Sequence, residues 1–430
     1  WYRRSGFEAT GHTAKRETTD TSADEGPTVF HLVPLDPERV RRYAQWRGLT
    51  NPEAFVHALE THHAWEFARR PLDVNALIEY WQQYARLGSL TELIEHGLEV
   101  ALRETEARET SYVLTPESGR KGAEALAAAA LLCRKVSFKV PDDAHIPTSA
   151  ALDAAACLPA TWSPAQRRAL LSRPLFDGAT YGCIRFHHRR VLENLCASWL
   201  RERIRSGCPL DRLIDLMFAD HQGQHILRPA LSPVAAWLAN GSDPHNGIVR
   251  EWLLRTDPTI HFSYGDPAQL PTEYKRQVLH ALADRYKDRQ LVWLEYESPV
   301  LARFADPALA GEVSALILDR GVSASLRADM LLLARYGRLT ACLDAALSVV
   351  ADPNEEDEVK QYAIAAIGDC GDTSIRVRLS ACTRERVAFS SRSTGALCRA
   401  LYPDIIDADG LAALLQKSEQ PLRHGVDLPL

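Results

Sequence analysis

The chain contains no GxxxxGK[ST] element, no CxxC pair, no HExxH frame and no GxSxG element. Each absence removes a class of chemistry. A P-loop needs Gly-rich backbone and a Lys at a helix start to cradle phosphates. The nearest stretch, Gly119-Arg-Lys-Gly122, lacks the spacing and a preceding strand. No apolar strand ends in paired acids that would hold Mg²⁺, so an NTP-hydrolysing centre is incomplete within these residues and no enzymatic activity is expected. The missing HExxH and GxSxG remove the zinc-protease and hydrolase frames. No apolar run approaches the ~18–20 residues of a membrane helix. The longest, Ala125 to Cys133, is Ala-rich and reads as a buried core helix. Trp1 is not Met and no signal peptide follows it, so the expectation is a fragment or a processed product, without membrane contact.

The nine cysteines are odd in number, and several sit inside apolar helical patterns. Buried free thiols in a reducing compartment, the cytoplasm, are expected rather than a disulfide framework. The net charge of −6 argues against a chain dominated by nucleic-acid binding. Apolar residues at 46% and charged residues at 25% are the balance of an ordinary globular protein.

What is present is helical. Residues 1–28 are polar and read as a lead-in, followed by a strand-like run, Thr28 to Val33. Asp36-Pro37-Glu38 and Asn51-Pro52-Glu53 are helix starts: a capping side chain, Pro at the first position, an acid in the first turn. Val56, Leu59, His63 and Phe67 fall on one helical face, and Val74, Leu77, Ile78, Trp81 and Tyr84 on another. Ser89-Leu-Thr-Glu92 is a capping box. A bundle of about four helices is therefore expected over 36–112. Thr115-Pro116-Glu117 opens a helix to about Arg134, and Ser163-Pro164 caps another over Ala165–Ser172. Asp177-Gly178 reads as a turn, Cys183 to Phe186 as a strand, and Val191 as the start of an apolar helix. That order is the outline of a winged-helix domain, over 113–207. Beyond it, Leu326–Gly337 resembles Val359–Gly371 at an offset of 33–34 residues (326 to 359, 337 to 371). Helix pairs with that period indicate a HEAT-like α-solenoid over 208–430, with no sheet of more than two strands and a loose end over Ser418–Leu430. The fold class is mainly all-α.

No metal site is expected, although there are 15 histidines. His221 and His225 are at i, i+4, but Gly223 lies between them. His62-His63 and His187-His188 are adjacent pairs, and helical neighbours point ~100° apart, too far to chelate together. Asp352 to Glu358 is acidic but lacks the Gly of a Ca²⁺ loop.

One segment carries a more specific signal. Ile184 to Leu200 resembles the F-x-H-x-[ST]-φ-x-E-[YF]-L-A-A signature (φ apolar) that closes the winged helix of NACHT-type STAND NTPases. Phe186, His188, Glu193, Leu195 and Ala197 match; Arg190 stands for the usual Ser/Thr, Asn194 for the aromatic and Cys196 for one Ala. Leu32-Val-Pro-Leu35 looks like the family's exit from its NTPase core. Phe67-Ala-Arg-Arg-Pro71-Leu72 looks like the segment whose Pro lies against adenine. The resemblance implies that 1–35 is the end of the NTPase core and that the P-loop lies upstream. ATP or ADP would then belong to the full-length parent and not to this chain alone. It also implies that His188 contacts a nucleotide phosphate, with neighbouring His187 pointing elsewhere. The helical remainder would recognise a protein trigger, with self-oligomerisation on activation and a role in bacterial antiviral defence. Direct DNA binding is not expected, because the wing helix is apolar (Val191, Leu192, Leu195, Trp199) and reads as packed. Two other readings compete: a free-standing HEAT-like scaffold that binds protein, and an α/α-toroid enzyme. The wing motif and the lack of an evident carboxylate pair argue against the toroid.

Overall fold

The computed structural model describes residues 33–62, 64–103, 113–139, 151–179, 182–221, 223–241, 244–291, 293–384 and 389–418. The chain is mainly helical with only small sheets. The expected strand at Thr28–Val33 and the polar lead-in lie outside the described residues except for Val33, which is exposed and in no strand. The end after Ser418 also lies outside them.

The first bundle is α1 (Pro37–Trp46), α2 (Pro52–Thr61), α3 (Pro71–Tyr84) and α4 (Leu90–Leu102). Its starts follow from local chemistry. Asp36 accepts from the Arg39 amide at 2.8 Å, and Asn51 from that of Ala54 at 3.0 Å. Ser89 and Glu92 exchange both bonds of a capping box. Each such cap contributes about 1 kcal/mol. Val74, Leu77 and Ile78 are buried, and Trp81 meets Phe55 edge-on at 5.6 Å. Tyr84, expected on the same stripe, is 48% exposed. The helical face expected to run from Val56 to Phe67 is broken. The Ala64 amide turns back to the Leu59 carbonyl at 2.8 Å, the closure of a Schellman end, so α2 stops at Thr61. Phe67 is buried from a separate 3₁₀ turn, Trp65–Phe67; His63 lies outside the described residues.

Next come α5 (Pro116–Leu132), β1 (Phe138–Lys139), β2 (Leu152–Asp153), α6 (Ala154–Cys157), α7 (Pro164–Leu171), β3 (Phe176–Gly178), β4 (Cys183–Phe186) and α8 (Arg189–Arg205). The strands form one sheet in the order β2-β1-β4-β3, with β4 antiparallel to both neighbours. Asp177-Gly178 is not the turn. Both residues pair within the sheet (Asp177↔Arg185), and the chain reverses after them, through Gly182 at φ +70°. Gly119 and Gly122 are buried on α5. A Cβ at Gly122 would stand 2.6 Å from the Trp162 ring and 2.8 Å from Leu170, so this glycine permits close packing.

The remainder begins with α9 (Leu210–Met217), a hairpin of β5 (Phe218–His221) and β6 (Gln224–Leu227), α10 (Ser232–Ala239), α11 (Pro244–Thr256) and α12 (Thr272–Lys287). It continues through α13 (Ser298–Phe304), α14 (Ala310–Leu318), α15 (Ala324–Tyr336), α16 (Leu343–Ala351), α17 (Asp357–Cys370), α18 (Thr373–Arg384), α19 (Ser391–Leu401) and α20 (Ala408–Gln416). His221 and His225 therefore lie on paired antiparallel strands, not on one helix face. Helices α15, α17 and α19 pack side by side in one layer, and α14, α16 and α18 in the other. The buried positions repeat: Met330, Leu331 and Ala334 in α15, Ala363, Ile364 and Ile367 in α17, Ala396, Leu397 and Ala400 in α19 (330 to 363 to 396). The third copy escapes the sequence pattern because α19 also buries polar Ser393 and Thr394. The Asp357 carboxylate accepts the Ser390 and Ser393 hydroxyls at 2.5 and 2.7 Å, joining α17 to α19. Among the described residues after 210, no sheet exceeds two strands.

Within this array Asp329 of α15 is buried and accepts the Tyr286 hydroxyl of α12. Burial pushes its carboxyl up to about 7, above the ~3.9 of an unfolded Asp. A raised folded pKa adds stability that is complete below the unfolded value and is lost as pH rises through about 7. Asp329→Asn keeps an acceptor for Tyr286 and cannot ionise. The Tm of this variant relative to wild type should therefore climb by ~2 °C or more between pH 5 and pH 8. A Tm difference that does not change with pH would contradict the raised pKa.

Candidate functional site at the α3–α8 seam

The start of α3 faces the corner where β4 becomes α8. Arg70 precedes α3 in extended backbone, Pro71 takes the first helical position, and Asp73 stands in the positive first turn. On the facing side, the His187 amide donates to the Leu175 carbonyl at 3.1 Å, extending the β3–β4 pairing. His188 is the N-cap of α8, in extended backbone, and its side chain does not cap the helix.

Both imidazoles converge on Asp73. His187 Nε2 lies 3.3 Å from Asp73 Oδ1, and His188 Nε2 lies 3.4 Å from Oδ2. The two rings are 4.5 Å apart, and Phe67 stacks on His188 at 4.8 Å. The side chains are 7% (His187), 19% (His188) and 15% (Asp73) exposed. This overturns the expectation that adjacent histidines diverge and that His187 points elsewhere. Helical divergence applies inside a helix. Here the two residues form the connection between the last strand residue, Phe186, and the first helical one, Arg189, so the helical rotation does not apply to them.

The protons are partly fixed by geometry. His187 Nδ1 lies 2.9 Å from the Leu175 carbonyl. A carbonyl only accepts, so Nδ1 carries a hydrogen and Nε2 is left facing the carboxylate. Burial by itself would raise the Asp73 pKa, but the two imidazoles of His187 and His188 beside it hold it well below the usual carboxylate range. Arg70 stands 3.9 Å from Asp73 and 3.2 Å from Asp177 on β3, adding a second link across the seam.

The remaining motif residues are structural. Phe186 packs against Phe176 and Phe138, with centroids 4.7 and 6.1 Å away. Leu195 and Ala197 are fully buried on α8, which packs against α5 and α10. Val191 and Leu192 are buried as well. Glu193 is buried, its pKa raised by that burial, and accepts from Arg189 Nε at 2.8 Å. Cys196 is buried and its thiol is pushed up to about 12, which makes it a packing residue. Arg190 reaches Glu66 of the bundle at 3.2 Å and Glu297 before α13 at 2.8 Å, a role no Ser or Thr could fill. Pro71 is exposed, two residues before Asp73. The Leu35 amide donates to the Arg69 carbonyl at 2.9 Å, so the segment at Leu35 and the Phe67–Leu72 segment lie side by side.

A cavity of about 70 Å³ opens beside the cluster, lined by Leu72, Leu77, Leu98, Leu175 and Val191 with the three polar residues. It has room for an ion or a few waters, well short of the ~300–1,000 Å³ of a small-molecule pocket. Sequence reasoning singled out His188 and Pro71 and missed Asp73 and His187. The available signal for Asp73 was an acid one step after Pro71-Leu72, which is ordinary at any helix start.

A scan against protein-family models finds no match for this chain, and no curated protein matches it.

Removing the carboxylate leaves two buried imidazoles without their shared partner. Asp73→Ala should cost about 2–3 kcal/mol of folding stability by urea unfolding. Hydrogen–deuterium exchange should speed up in the first turns of α3 and at 186–190 while the α15–α17–α19 layer stays unchanged. A loss below ~0.5 kcal/mol would show that the carboxylate does not hold the seam.

Proposed function

We propose that this chain is the regulatory and sensor portion of a NACHT-type STAND signalling NTPase, acting in antiviral defence. Its role would be to hold a nucleotide-bound closed state and to recognise a protein trigger through its helical repeats. The observation that carries this reading is the seam itself. His188, matching the family's phosphate-contacting position, reaches Asp73, two residues after Pro71, which matches the adenine-facing position at the start of the same helix. His188 sits at the N-terminus of α8, where backbone N–H groups favour an anion. ADP held by the parent's NTPase core would offer His188 a phosphate oxygen in addition to, or in place of, Asp73. One charge-assisted hydrogen bond at ~1.5–3 kcal/mol shifts a closed-to-open ratio by ~10–150-fold. Arg190, bonded to both Glu66 and Glu297, supports a path by which a change at the seam reaches the array.

A second reading is a free-standing helical scaffold. A groove of about 950 Å³ favours it, lined by Phe218, Ile226, Trp252, Arg255 and Arg285, which offers apolar and cationic surface to a protein segment. The two readings separate on nucleotide dependence.

The chain alone should show no ATP turnover above a buffer blank. In the full-length parent, His188→Leu should lose ADP and raise basal signalling. His187 cannot serve as the control, because it shares Asp73; the exposed His57 can. If His188→Leu retains ADP as wild type and His57→Leu do, the latch reading fails and the scaffold reading stands.

A further inference from the structure

We propose that Asp73, His187 and His188 form a binding site for a divalent first-row transition metal ion of the zinc class. This site does not rest on the nucleotide reading, although it uses the same His188 and would occupy the nitrogen that faces Asp73.

Three observations carry it. The first is spacing. A charge-assisted N–H to carboxylate bond runs ~2.7–2.9 Å. The two imidazole nitrogens instead stand 3.3 and 3.4 Å from the carboxylate oxygens. Ligand atoms arranged tetrahedrally around zinc at ~2.0–2.1 Å are about 3.3–3.4 Å apart. One ligand atom from each residue can be chosen so that all three lie within 4.8 Å of one another. The second is lack of partners. Asp73 Oδ2 and His188 Nε2 are buried and neither makes a hydrogen bond. Two such atoms aimed at each other are each short of a cation between them. The third is the supporting shell. His187 donates Nδ1–H to the Leu175 carbonyl, which directs the Nε2 lone pair at the carboxylate. Metal-bound histidines are held this way, with the far nitrogen on a carbonyl.

The donor set selects the ion. Two imidazoles and a carboxylate without thiolate suit zinc, and they do not suit Mg²⁺, which prefers oxygen ligands and keeps its waters. Three protein donors leave a fourth position, and the adjoining cavity of about 70 Å³ has room for a water there. The ligands come from α3 on one side and the β4–α8 corner on the other. A bound ion would therefore fasten the bundle to the wing.

The test uses the 430-residue chain after chelator treatment and dialysis. Calorimetric titration with Zn²⁺ should give one ion per chain, with none for Mg²⁺. Co²⁺ should give the visible absorption of a four-coordinate ion without the near-ultraviolet band of thiolate ligation. His187→Ala and His188→Ala should each weaken zinc binding ~10-fold or more. Cys133→Ser and Cys208→Ser, which remove the exposed thiols, should leave it unchanged. Absence of zinc binding, a thiolate band with Co²⁺, or unchanged affinity in both histidine variants overturns the site. If the histidine variants do not fold, the wild-type Co²⁺ spectrum decides, because it reports the ligand set directly.

Discussion

A single carboxylate, Asp73, is shared by two adjacent imidazoles that come from a different part of the chain. An acid mostly withdrawn from water is expensive unless it is satisfied. Its position in the first turn of α3 supplies one source of relief, through the helix dipole. The rest must come from the β4–α8 corner, so the bundle and the four-stranded sheet segment are held in one relative placement. The β3–β4 pairing, the Leu175 carbonyl that orients His187 and the Phe67 ring on His188 all serve that placement.

Polar links of the same kind continue outward. Arg190 follows the two histidines and reaches both the bundle and the array. Asp266, fully buried, accepts the Thr91 amide and hydroxyl at 2.8 and 2.7 Å, fixing the start of α4 to the segment before α12. One hydrophobic core extends from Val40 to Leu414. Apolar packing therefore supplies the bulk of the cohesion, and a few buried charges set the orientation. In the array the same division holds between the apolar repeat positions and the Asp357–Ser390–Ser393 stitch. Where a polar link sits at a junction, a ligand that competes for it can move the junction, which is why the seam carries the functional proposal.

Much of the fold was legible in the residues, because helix starts are local. Asp36-Pro37, Asn51-Pro52, Ser89 with Glu92 and Ser163-Pro164 each carry their capping partner within three residues. The strand at Cys183–Phe186 was visible from its residue pattern after Asp177-Gly178, and the repeat between α15 and α17 from its offset of 33–34 residues. What was not legible depends on distant pairing or on a change of backbone type. Strand β1 has two residues and exists only through its register with Leu152 on one side and Ile184 on the other. Asp177-Gly178 has turn composition, yet the sheet claims it. The convergence of His187 and His188 follows from a strand-to-helix corner that no periodicity describes. Asp73 becomes a site residue only when that corner packs against α3. His188 could be named from the motif, whereas its partner could not.

The seam is tested most directly by a double-mutant cycle on folding stability, with Asp73→Ala, His187→Ala and the double variant unfolded in chelator-containing buffer. If the carboxylate and the imidazole act together, the two losses should overlap, with a coupling of ~1 kcal/mol or more. Losses that add within ~0.3 kcal/mol would mean that the two groups stabilise the chain separately and that no shared interaction holds the bundle to the β4–α8 corner.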